Sequence, residues 1–268
     1  RPAQLTSQEV EREMTPIKQS ICWGVVAAAG EPADVVKQVK DIGYASIEMS
    51  PPEIFPIIKD AGLDIAIFVG HKSLADGLNK RENHERIYDE LMASFELAEQ
   101  YQVPSLLCLS GNRYEGVSDL QGAEICAEIL SRVAPVAEEK GINLCMELLN
   151  SKVNHPGYMC DSTEWGVHVC KMVNSPRVAL LYDIYHMQIM EGDLIRTIQN
   201  NIQWIKHFHT AGNPGRHDMD DEQEIYYPAI ARAIAALDYQ GYVGHEFGPK
   251  GQDRIAAARA AFETWKVD

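Results

Sequence analysis

The stretch Cys126-Ala-Glu-Ile-Leu-Ser-Arg-Val-Ala-Pro-Val-Ala-Glu-Glu-Lys-Gly-Ile-Asn-Leu-Cys-Met-Glu147 decides the reading of the fold. Its first part places Cys126, Leu130, Val133 and Ala137 at i, i+4, i+7 and i+11, one apolar stripe of an α-helix. Pro135 falls inside that helix and predicts a kink or a local break. Gly141 then closes it, as expected of a residue that takes up left-handed geometry just past a helix end. Ile142 to Met146 is a short apolar run suited to a buried strand, and it ends on the carboxylate of Glu147. The unit is helix, glycine, strand, acid.

The pattern repeats outward from there. Gly43, Gly62 and Gly241 also follow helical stretches and lead into strands, and Glu48 and Glu246 stand five residues beyond Gly43 and Gly241. Strand-like runs fall near 20–27, 45–49, 64–70, 104–109, 142–147, 178–183, 204–210 and 242–247. Helical stretches fall near 32–42, 52–61, 81–101, 119–140, 163–174, 193–202, 227–238 and 251–265. Eight such units in a chain of 268 residues match a single (β/α)8 TIM barrel, an α/β fold. An open doubly wound sheet would normally show a glycine-rich turn after its first strand, whereas Ala27-Ala-Ala-Gly-Glu-Pro32 follows here. The expected organisation is an N-terminal arm over 1–19 and a catalytic barrel over 20–268.

Composition narrows the partners. The formal charge is −15, from 24 basic against 39 acidic residues. Nucleic acid and anionic membranes attract basic proteins, so neither is an expected partner. No apolar run approaches the ~18 residues that span a bilayer, which predicts a soluble protein. The six cysteines lack zinc-site spacing, and several fall in apolar segments, which favours reduced core thiols. A cytoplasmic location is expected, with export after loss of a leader left open because the chain starts at Arg1. A homo-oligomer also stays open.

Four strands end on Glu147, Asp183, His209 and Glu246. Burying unpaired charge is costly, and a single cation would relieve all four positions at once. Three carboxylates and one imidazole favour a divalent ion such as Mn²⁺ or Mg²⁺, with Co²⁺ a further candidate. Taken singly, each glutamate has an alternative as a lysine partner and His209 as a core histidine. Asn150 and His186 lie just past two of these strands, and His207 shares its face with His209. The long polar segment 212–227 holds Arg216 and His217, which would present positive charge to an anionic substrate; a solvated acidic flap is the alternative. Glu48 and His71 are candidates for the same mouth, against a rim salt bridge and a solvated loop residue. Trp23, Met187 and Met190 read as packing.

The chain resembles the xylose-isomerase-like (β/α)8 superfamily, and within it the hydroxypyruvate isomerase branch. The resemblance covers nearly all of 21–265 and is most specific at Tyr182-Asp-Ile-Tyr-His-Met-Gln-Ile-Met-Glu-Gly-Asp-Leu194. Met146-Glu-Leu-Leu-Asn150, Asn213-Pro-Gly-Arg-His217, Glu224-Ile-Tyr-Tyr227 and Gly241-Tyr-Val-Gly-His-Glu246 add to it. The resemblance implies that Glu147, Asp183, His209 and Glu246 bind metal, that the two glutamates double as acid and base, and that His186 and Arg216 hold substrate. Two departures point in different directions. His209 stands where that branch often has Gln and the ketose 3-epimerases have His; Val153 stands where those epimerases have an acid. The implied reaction moves a proton between adjacent carbons of a small hydroxy-carbonyl or sugar substrate through an enediolate, with hydroxypyruvate and tartronate semialdehyde as the expected pair. A ketose 3-epimerase, an inosose-dehydratase-type lyase and a catalytically silent sugar- or metal-binding barrel are the alternatives. The related abasic-site endonucleases fit poorly with the charge of −15.

Overall fold

Strands covered on both faces carry unbroken apolar runs, and Val178–Asp183 is buried along its whole length. The computed structural model describes residues 15–267. Its strands are β1 (Lys18–Cys22), β2 (Ser46–Glu48), β3 (Ile67–Val69), β4 (Ser105–Cys108), β5 (Asn143–Glu147), β6 (Val178–Asp183), β7 (Ile205–Thr210) and β8 (Tyr242–His245). They form one parallel sheet in the order β2-β1-β8-β7-β6-β5-β4-β3. The two ends meet where Ile47 N–H donates to Asp64 O at 3.1 Å and Met49 N–H to Ile67 O at 3.1 Å. The result is a nearly closed (β/α)8 barrel.

The helices are α1 (Trp23–Val26), α2 (Pro32–Ile42), α3 (Phe55–Asp60), α4 (His84–Tyr101), α5 (Asp119–Lys140), α6 (Thr163–Val173), α7 (Ile184–Met190), α8 (Leu194–Asn201), α9 (Tyr227–Ala235) and α10 (Arg254–Thr264). The stripe Cys126, Leu130, Val133 and Ala137 on α5 is buried, as its spacing predicts. Gly141 closes that helix at φ 69°, a geometry costly for any side chain. All six cysteines are buried and free. No helix among the described residues is long and apolar enough to cross a membrane.

Four expectations need correction. β1 starts at Lys18 and stops at Cys22, so two residues assigned to the arm are strand and 23–26 are helix. Short apolar runs do not distinguish the two periods, which explains the misreading. Residues 1–14 of the expected arm lie outside the described residues. α5 runs through Pro135 without the break offered as one of its two expected effects, because Pro135 and Ser131, whose carbonyl loses its partner, are both exposed to water. Gly241 is not a left-handed helix cap; Asp238 takes the positive φ after α9, at 54°. A Cβ on Gly241 would fall 2.8 Å from Lys206 O, so close approach is what requires glycine there. Finally, α7 is an additional helix between β6 and α8.

Two histidines tie the barrel together as neutral rings. His71 Nε2 accepts from Leu109 N at 3.0 Å, and burial lowers its pKa to about 4. His245 bonds Thr210 Oγ1 at 2.8 Å and Gln19 Oε1 at 3.0 Å, and burial lowers it to about 3. Both folded values lie below the usual ~6.5. Their contribution to stability is therefore complete above that value and is lost as pH falls toward the folded pKa. Between pH 7 and pH 5 each is expected to cost roughly 2 kcal/mol of unfolding free energy. Urea denaturation at both pH values checks this, with His71→Gln expected to flatten the pH dependence; an equally steep curve in the variant counts against it.

Candidate metal centre and substrate mouth

In a strand alternate residues share a face, so Glu147, Asp183, His209 and Glu246 can all turn into the barrel. Registers set their heights: Asp183 pairs with His209, His209 with Gly244, and Glu147 with Leu181 two residues before Asp183. The stagger of a closed barrel thus steps the ligands around its C-terminal end. One ligand atom from each of the four lies within 4.8 Å of the others. His209 Nδ1 stands 3.4 Å from Glu147 Oε1 and 3.3 Å from Glu246 Oε2.

The supporting contacts are local. Asp183 ends β6 and caps α7, its Oδ1 accepting from His186 N at 3.0 Å. Glu147 is held at its backbone, whose carbonyl accepts from Tyr158 Oη at 2.9 Å. His186 Nδ1 accepts from Asn150 N at 3.1 Å, which places the ring proton on Nε2. That Nε2 is buried, lacks a partner and lies 3.8 Å from Asp183 Oδ2. His209 Nδ1 is likewise buried without a hydrogen-bond partner. A buried imidazole nitrogen facing three carboxylates fits a divalent cation of the hard or borderline kind.

Arg216 reaches the mouth from the 212–227 segment, its Nη2 2.7 Å from Glu246 Oε2 and its guanidinium 5.8 Å from the Tyr185 ring centre. The segment is fastened: Gly212 N–H donates to His217 O at 2.7 Å and Gly248 N–H to Arg216 O at 2.9 Å. Arg216 itself has φ 59°, an uncommon value for a side-chain-bearing residue and one often found at functional positions. His217 contacts Gly248 O at 2.7 Å and so faces that carbonyl. Cys22, Gly24, Val25, Met49, Arg216, Glu246, Phe247 and Gly248 line a cavity of about 370 Å³ beside the cluster.

Charge is divided unequally among the ligands. Burial raises Asp183, against the pull of Arg216 and His209. Burial also opposes ionisation of Glu246, but His209 and Arg216 overcome it and hold it at about 2. His186 falls to about 3 through burial and the nearby Arg216.

The other expected residues are placed differently. Glu48 is wholly buried below the mouth, with Oε1 2.7 Å from His209 Nε2 and 2.9 Å from His207 Nε2. It therefore neither lines the mouth nor sits at the rim. His71 is 2% exposed and braces the start of the segment after β4, so it is not a solvated loop residue. Asn150 reaches the site through His186. Two residues near the site carry no motif: Cys22, whose Sγ lies 3.6 Å from Glu48 Oε1, and His155, whose ring lies 5.3 Å from that of His186.

A nearly closed parallel barrel with an acid and imidazole cluster at its C-terminal end has the layout in which barrel enzymes place their chemistry. The chain belongs to the xylose isomerase-like TIM barrel family, whose model matches residues 36–266. It is 26% identical over 233 residues to 2-oxo-tetronate isomerase of Pectobacterium atrosepticum, covering 82% of this chain and 87% of that one. It is 30% identical over 166 residues to hydroxypyruvate isomerase of Escherichia coli, covering 62% and 64%. With two further curated relatives the match spans about half their length, 48% of one and 46% of the other. Among solved structures, an AP endonuclease of family 2 from Brucella melitensis superposes with a TM-score of 0.78 at 23% identity over 89% of this chain and 96% of that one, a likeness of fold.

Proposed function

We propose that the protein is a divalent-metal-dependent isomerase of a small hydroxy-carbonyl acid, interconverting hydroxypyruvate and tartronate semialdehyde. The observation that carries this reading is the four-residue cluster of Glu147, Asp183, His209 and Glu246 at the C-terminal end of the barrel. The names of its curated relatives support the isomerase class. Glu147, Asp183, His209 and Glu246 would hold Mn²⁺, Mg²⁺ or Co²⁺, which would supply positive charge for the oxygen that becomes anionic when a carbon beside a carbonyl loses its proton.

Arg216 would bind the substrate carboxylate, exchanging part of its pairing with Glu246 for a bidentate contact. The Nε2–H of His186 would donate to a substrate oxygen. Glu147 ends β5 and Glu246 directly follows β8, and these strands lie on opposite sides of β7 in the sheet, so one would take the proton from C3 of hydroxypyruvate and the other return a proton to C2. The hydroxyl proton at O3 passes to O2, which leaves an aldehyde at C3 and balances the isomerisation.

The test is NMR of protein loaded with Mg²⁺ and incubated in D₂O with hydroxypyruvate or, separately, fructose. Deuterium entry and tartronate semialdehyde from the first are expected. Deuterium at C3 of fructose alone would reassign the protein to the ketose 3-epimerases, the reading that His209 favours. Exchange with neither substrate would refute both.

A further inference from the structure

We infer that Glu48 is a positioning residue that presents His209 Nδ1 to the cation, acting from beneath the site on the opposite ring nitrogen. This rests on the metal reading proposed above and deepens it. The Glu48 carboxylate is wholly buried, and its Oε1 is the shared acceptor for His209 Nε2 at 2.7 Å and His207 Nε2 at 2.9 Å. A ring that donates its Nε2 proton to a carboxylate has its Nδ1 lone pair free, and Nδ1 is the nitrogen that faces Glu147 and Glu246. A carboxylate behind a ligating imidazole fixes its tautomer and rotation and raises its basicity.

The barrel is built to admit this contact. Glu48 lies on β2 and both histidines on β7, and β1 and β8 stand between those strands in the sheet. The carboxylate must therefore cross the barrel interior, passing over β8. At that place β8 has Gly244, the residue paired with His209. A Cβ on Gly244 would fall 2.2 Å from Glu48 Oε1 and 2.9 Å from Oε2. The absent side chain makes the space the carboxylate fills. Cys22, Glu48 and His209 are also close enough together to hold an ion. Such an ion would compete for Nε2, which Glu48 already engages.

The experiment measures Mn²⁺ affinity by EPR of free Mn²⁺ for the wild type, Glu48→Gln, Gly244→Ala, Cys22→Ala and Asp183→Asn. In parallel, ¹⁵N-histidine-labelled metal-free protein is examined for imidazole N–H resonances shifted downfield by the buried carboxylate. Glu48→Gln should weaken Mn²⁺ binding by about 10–100-fold and move those resonances upfield. Asp183→Asn should weaken binding without moving them, and Cys22→Ala should leave the affinity unchanged. Gly244→Ala pushes on the same carboxylate from another strand and should weaken binding in the same direction, so the idea stays testable if Glu48→Gln does not fold. Wild-type affinity in both Glu48→Gln and Gly244→Ala, with loss in Asp183→Asn, overturns the positioning role and spares the metal site. Unchanged affinity in Asp183→Asn overturns the metal reading itself. A loss in Cys22→Ala equal to that in Glu48→Gln would move the ion to the Nε2 side and overturn the inference.

Discussion

Glu246→Gln at saturating Mn²⁺ is expected to lower kcat for hydroxypyruvate by about 10²–10⁴-fold, the range typical of a lost general acid or base. The substitution keeps the shape of the side chain and one oxygen that can face the cation, but it removes the group that moves the proton. Two contacts are changed with it. Arg216 loses its carboxylate at 2.7 Å, and His209 loses one of the two acids that face its Nδ1. The Arg216–Glu246 pair is only partly buried, with side-chain exposures of 28% and 30%, so its loss should change stability by no more than about 1 kcal/mol. Steady-state kinetics over a Mn²⁺ titration separate the effects. A variant that regains wild-type kcat at high Mn²⁺ has only lost affinity, which would remove Glu246 from proton transfer. A variant that binds Mn²⁺ normally and still fails to exchange deuterium into substrate supports the assignment.

The legible and illegible parts of this fold differ for physical reasons. Long amphipathic stretches such as 119–140 give many turns over which a period can be recognised, and α5 lies where its spacing puts it. The four acid or imidazole strand ends were equally visible, because a charged or polar side chain closing an apolar run has few cheap explanations. Their convergence followed from the barrel, whose closure brings strands five to eight side by side. Glu48 carried the same signal, a carboxylate after a short apolar run, but its position differs. Its strand is only three residues long, and its partners lie across the interior. Nothing in the linear chain indicates that Gly244 leaves room for it. Cys22 reads as an ordinary apolar strand residue, and His155 lies in an irregular loop with no period to place it. Short elements such as α1 and α7 escape for a related reason: four to seven residues are too few for a helical repeat to outweigh a strand or loop reading.

Removing the cation is expected to have an effect as large as removing the acid, and to leave a mark on stability as well. Without a positive charge between them, Glu147, Asp183 and Glu246 are three carboxylates grouped around a single imidazole. Burial raises Asp183, and Glu246 pushes the same way against the stronger pull of Arg216 and His209, so its ionised form is held at a cost that a bound cation would offset. A cation that binds only the folded form stabilises it by mass action, about 2.7 kcal/mol when its concentration is 100 times its dissociation constant. Dialysis against a chelator should therefore abolish turnover and lower the thermal unfolding midpoint by several degrees, both restored by Mn²⁺. Asp183→Asn supplies the counterpart: it removes a carboxylate whose ionisation burial opposes, so its metal-free form should unfold at or above the wild-type apo temperature while gaining little from added Mn²⁺. Calorimetric scans of both proteins with and without Mn²⁺ decide the point. If chelation leaves activity and midpoint unchanged, the four residues form a polar network that closes on itself without a cation, and Arg216 and His209 alone balance its charge.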